Sequence, residues 1–203
     1  QDVTILAAMD NAIKDIDSGR FDDDAETEAW LRATIGKILR NNGRIRQAEP
    51  LMVQALAVIR RVHPGDHSGV VFNLISTGEI LQQLGRPAQS EPLLIEAMQM
   101  CRRMNPSDDQ SLGACLNSLA NVLTALGRPT EAEGHFIEAL EIARRLHPGD
   151  SRDVAACLCN LASVRMDMGR DVEACALFVE ALEMSRRVHK GDHPNTASFI
   201  SSL

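Results

Sequence analysis

The chain has 203 residues and a net charge of −7, with 44% hydrophobic and 24% charged residues, an ordinary balance for a soluble globular protein. An acidic balance argues against a general nucleic-acid binder, which needs a basic face, and no run of about 18 apolar residues is present to cross a bilayer. Five cysteines, an odd number, suit a reducing compartment better than a disulfide framework.

The chain opens at Gln1 rather than Met, which leaves room for an upstream targeting or anchoring segment. Val3 to Asp17 reads as one helix with Ile5, Leu6, Met9, Ile13 and Ile16 on its inner face, a degenerate unit capping the array over residues 1–23. The run FDDDAETE (Phe21–Glu28) supplies an acidic start to the next helix, favourable to its dipole. From there the sequence repeats. Arg-Arg pairs stand at Arg60-Arg61, Arg102-Arg103, Arg144-Arg145 and Arg186-Arg187, always 42 residues apart. Gly-Arg recurs with the same step at Gly43, Gly85, Gly127 and Gly169, and an Asp follows each Arg pair at Asp66, Asp108, Asp150 and Asp192. Three unrelated markers sharing one period indicate a stacked repeat in which each unit buries its apolar face against a neighbour. The repeats cover 24–65, 66–107, 108–149 and 150–191, and 192–203 is a partial fifth repeat or C-terminal cap.

The fourth repeat shows the local logic. Asp150 or Ser151 can cap a helix that carries Val154, Cys157, Leu158, Leu161, Val164 and Met168 at helical spacing. Gly169 ends it, supplying a left-handed turn. A second helix begins near Asp171, carries Val172, Cys175, Phe178, Ala181, Leu182 and Met184, and ends at Arg186-Arg187, where cations meet the helix dipole favourably. Each repeat is thus an antiparallel helix pair.

Small residues recur where the two helices must approach closely. Five and twelve residues after each Gly of Gly-Arg stand Ala48 and Ala55, Ser90 and Ala97, Ala132 and Ala139, and Ala174 and Ala181. Seven residues before it stand Gly36, Gly78, Ala120 and Ala162, and nine after it the bulky Met52, Leu94, Phe136 and Phe178. Small against large gives interdigitated packing.

This pattern is similar to the tetratricopeptide repeat, lengthened to 42 residues. With QAEPLMVQAL (Gln47–Leu56), QSEPLLIEAM (Gln89–Met98) and EAEGHFIEAL (Glu131–Leu140), it resembles the repeats of kinesin light chains, most nearly the small bacterial type. The resemblance runs from Asp24 to Leu203. It implies an all-α, right-handed superhelical solenoid of antiparallel helix pairs, without catalytic activity or cofactor. It also implies a protein partner, a tubulin-like cytoskeletal filament, linked to cargo or a membrane.

The residues themselves carry no clear catalytic motif. There is no phosphate-cradling Gly loop and no zinc spacing, and no cysteine is placed beside a histidine in the way that an activated thiol requires. His63, His147 and His189 share one repeat position and His67 and His193 another, so residues a whole repeat apart cannot share a metal; only His63 with His67, or His189 with His193, could hold an ion, and weakly. No metal site is expected.

Two surfaces remain as candidates. The first helices of stacked repeats line the concave face in this family, which places Trp30, Lys37, Arg40, Phe72, Glu79, Gln82, Asn117, Asn121, Asn160 and Ser163 in a groove. Asn117, Asn121 and Asn160 could hold the backbone of an extended peptide there, and Trp30 and Phe72 could anchor a partner or simply fill core. The second surface is the arginine ladder, Arg60, Arg61, Arg102, Arg103, Arg144, Arg145, Arg186 and Arg187. It serves as helix-end compensation with salt bridges to neighbouring acids, or as a basic edge for an acidic partner or an anionic lipid surface. The expected function is a cytoplasmic, non-catalytic adaptor, placed at filaments or the inner membrane face. The alternative is a regulatory repeat segment of a larger signalling kinase or caspase-like protease.

Overall fold

The computed structural model describes residues 5–19, 21, 24–104 and 109–188. His189, His193, Asp108, Asp192, Val3 and the partial fifth repeat lie outside them. Every regular element among the described residues is a helix: α1 (Ile5–Asp17), α2 (Ala25–Asn41), α3 (Ile45–Val62), α4 (Ser68–Gln83), α5 (Pro87–Met104), α6 (Asp109–Ala125), α7 (Pro129–Leu146), α8 (Arg152–Asp167) and α9 (Asp171–Val188). The chain divides into two compact units, Gln1–Met104 and Asn105–Leu203. In the first, α2 packs on α3 and α4 on α5, with α3 against α4; in the second, α6 packs on α7 and α8 on α9, with α7 against α8. Each unit is therefore a stack of helix pairs, the arrangement of an all-α repeat solenoid.

The helix ends follow from side-chain chemistry. Asp24 caps α2, its Oδ1 accepting from the Thr27 backbone N–H at 3.0 Å and its Oδ2 from the Thr27 hydroxyl at 2.6 Å. These bonds to the charged form hold the Asp24 carboxyl below its ordinary range. Of the two candidates at the start of α8 it is Ser151 that caps, accepting from Asp153 N–H at 3.2 Å. Each first helix in the four pairs stops at a glycine in the left-handed region: Gly43, Gly85, Gly127 and Gly169 have φ between 72° and 75°. A side chain there is strained whatever the space around it.

The alternation of small and large residues is the core. Ala48, Ala55, Ser90, Ala97, Ala132, Ala139, Ala174 and Ala181 are all buried, as are the large residues facing them, Met52, Leu94, Phe136 and Phe178. Ser90, standing where the other repeats have Ala, donates its hydroxyl to Gly78 O at 2.7 Å, so its polar group is satisfied. Met9 and Ile16 of α1 join the core of the first unit with Ala33, Leu39 and Met52. The approach is fixed by a buried arginine. Arg32 donates to Asp17 of α1 at 2.9 Å, to Glu28 at 2.9 Å and to Gln54 of α3 at 2.7 Å. A guanidinium so enclosed is stable only with such partners, and removing one leaves a buried charge uncompensated.

The doubled arginines tie consecutive helix pairs together. In the first unit Arg60 reaches forward to Glu96 and Arg103 back to Asp66; in the second Arg144 reaches forward to Glu180 and Arg187 back to Asp150. The first arginine thus reaches into the next repeat at Arg60 and Arg144, and the second holds the aspartate that opens its own repeat at Arg103 and Arg187. Arg103 and Arg187 each form a two-pronged bond to their aspartate, at 2.7–2.9 Å. The arginine of Gly-Arg does similar work: Arg86 bridges Glu49 and Gln89, and Arg170 bridges Glu133 and Glu173.

Candidate partner-binding groove

The first helices of each unit bring the expected groove residues together in neighbouring pairs. On α2 and α4, Arg40 forms an ion pair with Glu79, and the Lys37 ammonium lies 5.9 Å from the centre of the Phe72 ring, within cation–π reach. Trp30 and Phe72 are 65% and 45% exposed. That removes the core reading for both: they are surface aromatics, with Gln82 partly buried further along α4.

On α6 and α8 the same face has different chemistry. Asn160 donates its amide to the Asn117 carbonyl at 2.7 Å, linking the two helices and leaving further donor and acceptor capacity on both amides. Asn121 is partly buried and Ser163 exposed, its hydroxyl turned back onto Cys159 O at 3.0 Å. Beside the asparagine pair opens a cavity of about 260 Å³. Gly113, Ala114, Ala139, Ile142, Ala143 and Leu146 form its apolar part, and Asn117, Asn160, His147 and Asp153 its polar part. His147 and Asp153 pair at 3.2 Å.

The cavity follows from side-chain size at fixed register. Ala114 and Ala156 occupy the repeat position of Trp30 and Phe72, and Ala143 that of Ile59. Where α2, α3 and α4 carry large side chains, α6, α7 and α8 carry methyl groups, and the space stays open. Neither Gly113 nor Ala114 was expected to form a pocket; reading the 42-residue register for volume instead of likeness would have pointed to it. At about 260 Å³ it lies below the roughly 300–1,000 Å³ usual for small-molecule sites, and it matches one bulky side chain better than a cofactor.

Cys157 also lines this cavity, together with His147. Burial, with the nearby Asp153 carboxylate adding to it, pushes the Cys157 thiol up to about 11, and burial alone takes Cys159 to about 11. The nucleophilic form is the thiolate, which is scarce in both near neutral pH. Among the described residues no helix is long and apolar enough to cross a membrane.

Relatives agree with this architecture. The tetratricopeptide repeat profile matches residues 26–103, 112–165 and 153–199. The structure of BtubC (BKLC) from P. vanneervenii is similar with a TM-score of 0.80 at 18% identity, over 98% of this chain and 81% of that one. A putative kinesin light chain with nearly identical repeats from Podospora anserina has a TM-score of 0.65 at 15% identity, over 92% and 97%. A Rap protein complexed with Competence and Sporulation Factor has a TM-score of 0.72 at 15% identity, over 89% of this chain but 48% of that protein. At such identities the likeness is one of fold, and no curated protein matches the sequence significantly. Repeats at a 42-residue step, helix pairs closed by glycine, and a family profile spanning most of the length lead to one assignment: the chain belongs to the tetratricopeptide repeat family.

Proposed function

We propose that this protein is a non-catalytic adaptor that holds an extended segment of a protein partner on α6 and α8, and that the partner is a tubulin-like cytoskeletal filament, linked to cargo or a membrane. The observation that carries the binding reading is the cavity beside the Asn117–Asn160 pair. It offers an apolar recess for one side chain and amides for the adjoining backbone. The filament is supported by the resemblance to bacterial kinesin light chains in sequence and by the likeness of fold to BtubC. Exposed Trp30 and Phe72 add a second contact region on α2 and α4. Arg60, Arg103, Arg144 and Arg187 of the ladder spend their charge on carboxylates inside each unit, which favours the groove as the surface for a partner.

Co-sedimentation with tubulin-like filaments tests the proposal, using the double substitution Ala114→Trp with Ala156→Phe. Both alanines are exposed, so the variant should keep its thermal midpoint while filament binding falls at least about tenfold, roughly 1.4 kcal/mol. Anionic vesicles run in parallel report on the ladder. Filaments that never co-sediment would remove the tubulin assignment. Filaments bound equally by parent and variant would move the site away from the cavity.

A further inference from the structure

We infer that Glu26, His63 and His67 form a binding site for a divalent transition-metal cation of the zinc class. The three side chains come from separate elements: Glu26 from the first turn of α2, His63 from the residue that ends α3, and His67 from the residue that begins α4. One donor atom from each lies within 4.8 Å of the other two. His63 Nε2 and Glu26 Oε1 are 3.3 Å apart. That is a long hydrogen bond, and it is also about the spacing of two ligands on a tetrahedral ion with bonds near 2.0–2.1 Å. Two imidazoles and a carboxylate suit zinc and its neighbours better than magnesium or calcium, which prefer all-oxygen sets.

The other half of the site needs one movement. The two imidazole rings are stacked, centroids 3.6 Å apart and 6° from parallel, so their in-plane lone pairs run side by side and do not converge. His67 Nδ1 accepts the Gly69 backbone N–H at 3.1 Å, which places the proton of the neutral ring on Nε2. A metal at Nε2 requires the proton to move to Nδ1, and a metal at Nδ1 occupies that lone pair directly. Either way the Gly69 amide loses its acceptor. Only three residues lie between the histidines, and His63 and His67 are each fixed at a helix end, so bringing both to one ion costs little chain entropy.

The register supplies the control. The positions of Glu26, His63 and His67 in the second unit are Gln110, His147 and Ser151. There a neutral amide stands at the glutamate position, His147 pairs with Asp153 at 3.2 Å, and a serine does the capping, accepting from Asp153 N–H. Ser at position 67 should therefore cap α4 as His67 does while removing a ligand.

Zinc titration of the full chain, with His189→Ser and His193→Ser in the background to remove the other histidine pair, tests the site by calorimetry and amide NMR. One equivalent should bind, with the ring signals of His63 and His67 and the Gly69 amide shifting on the same isotherm. Glu26→Gln should weaken binding at least tenfold, and His67→Ser should abolish it without lowering the thermal midpoint of the metal-free protein. The His147 signal should stay put. Absence of saturable binding overturns the inference. Binding that survives both substitutions, or that leaves the Gly69 amide unmoved, also overturns it.

Discussion

In the first unit Trp30 and Phe72 stand out from α2 and α4, while at the same repeat position of the second unit Ala114 and Ala156 leave a cavity. The helix pairs beneath are built alike, with Ala55 and Ala139 buried at equivalent places and the same forward and backward arginine bridges. A repeat needs a close approach between its two helices and does not need any particular side chain on its open face. The open face can therefore change from a projecting aromatic to a recess without altering the scaffold.

A second contrast lies inside the pairs. The first unit sets Gly36 and Gly78 against Met52 and Leu94; the second sets Ala120 and Ala162 against Phe136 and Phe178. Glycine admits a side chain that lies directly over the backbone. A Cβ at Gly78 would sit 2.9 Å from Leu94 Cγ and 3.1 Å from Ser90 Oγ. At Gly36 the intruding atoms are Sδ and Cγ of the flexible Met52, which can turn aside.

The largest effect should come from emptying the aromatic contact of the second unit. Phe136→Ala should cost about 3–5 kcal/mol in urea unfolding, and Met52→Ala, its counterpart, about 2–5 kcal/mol. If Phe136→Ala proved the milder by a wide margin, the two pairs would not be equivalent in energy as they are in register.

Overpacking should come next. Gly78→Leu drives a branched side chain into Leu94 and Ser90, and a loss of about 3 kcal/mol is expected. Gly113→Leu meets only the Ile142 side chain, its Cγ2 at 3.1 Å, and has the cavity to enter, so under about 1 kcal/mol is expected. Equal shifts in the unfolding midpoint would contradict the separation between a filled pair and an open one.

The smallest effect should be the acid response of the arginine bridges. Hydrogen bonds from Arg103 and Arg187 hold the Asp66 and Asp150 carboxyls below the usual aspartate range. A group whose folded value is depressed contributes stability above its unfolded value, near 3.9, and loses it as pH falls through the folded one. Urea midpoints should therefore decline modestly below about pH 4, and Arg103→Gln or Arg187→Gln should remove part of that decline. Because these groups are exposed, salt should blunt the effect in both units alike.

The period of 42, the helix pairs and the packing alternation were all legible from residue identities, because each rests on local chemistry repeated four times. Glycine ends a helix in any setting, and Ala48 or Ala139 reads as a close approach wherever a large residue stands three or four positions away. The double arginine was legible as a pattern but not in meaning. Arg60 and Arg144 find partners 36 residues ahead, Arg103 and Arg187 partners 37 residues behind, and spacing alone does not say which carboxylate a long side chain reaches.

The groove was legible as a list of positions, not as a surface. Trp30 could equally have been core, since an aromatic on a helix is buried or exposed according to what packs above it. Glu26 carries no signal of its own in the sequence, because its neighbours His63 and His67 are 37 and 41 residues away. What the sequence determined by itself was therefore what short-range backbone and side-chain preference sets: the repeat, the helix pairs and their small-against-large core, but not the reach of every apolar stripe, since Val172 and Cys175 are exposed. Tertiary structure alone decided where missing volume collects, which charges meet, and which donors from three helices converge. Those outcomes depend on distances across the stack, and a linear pattern does not contain them.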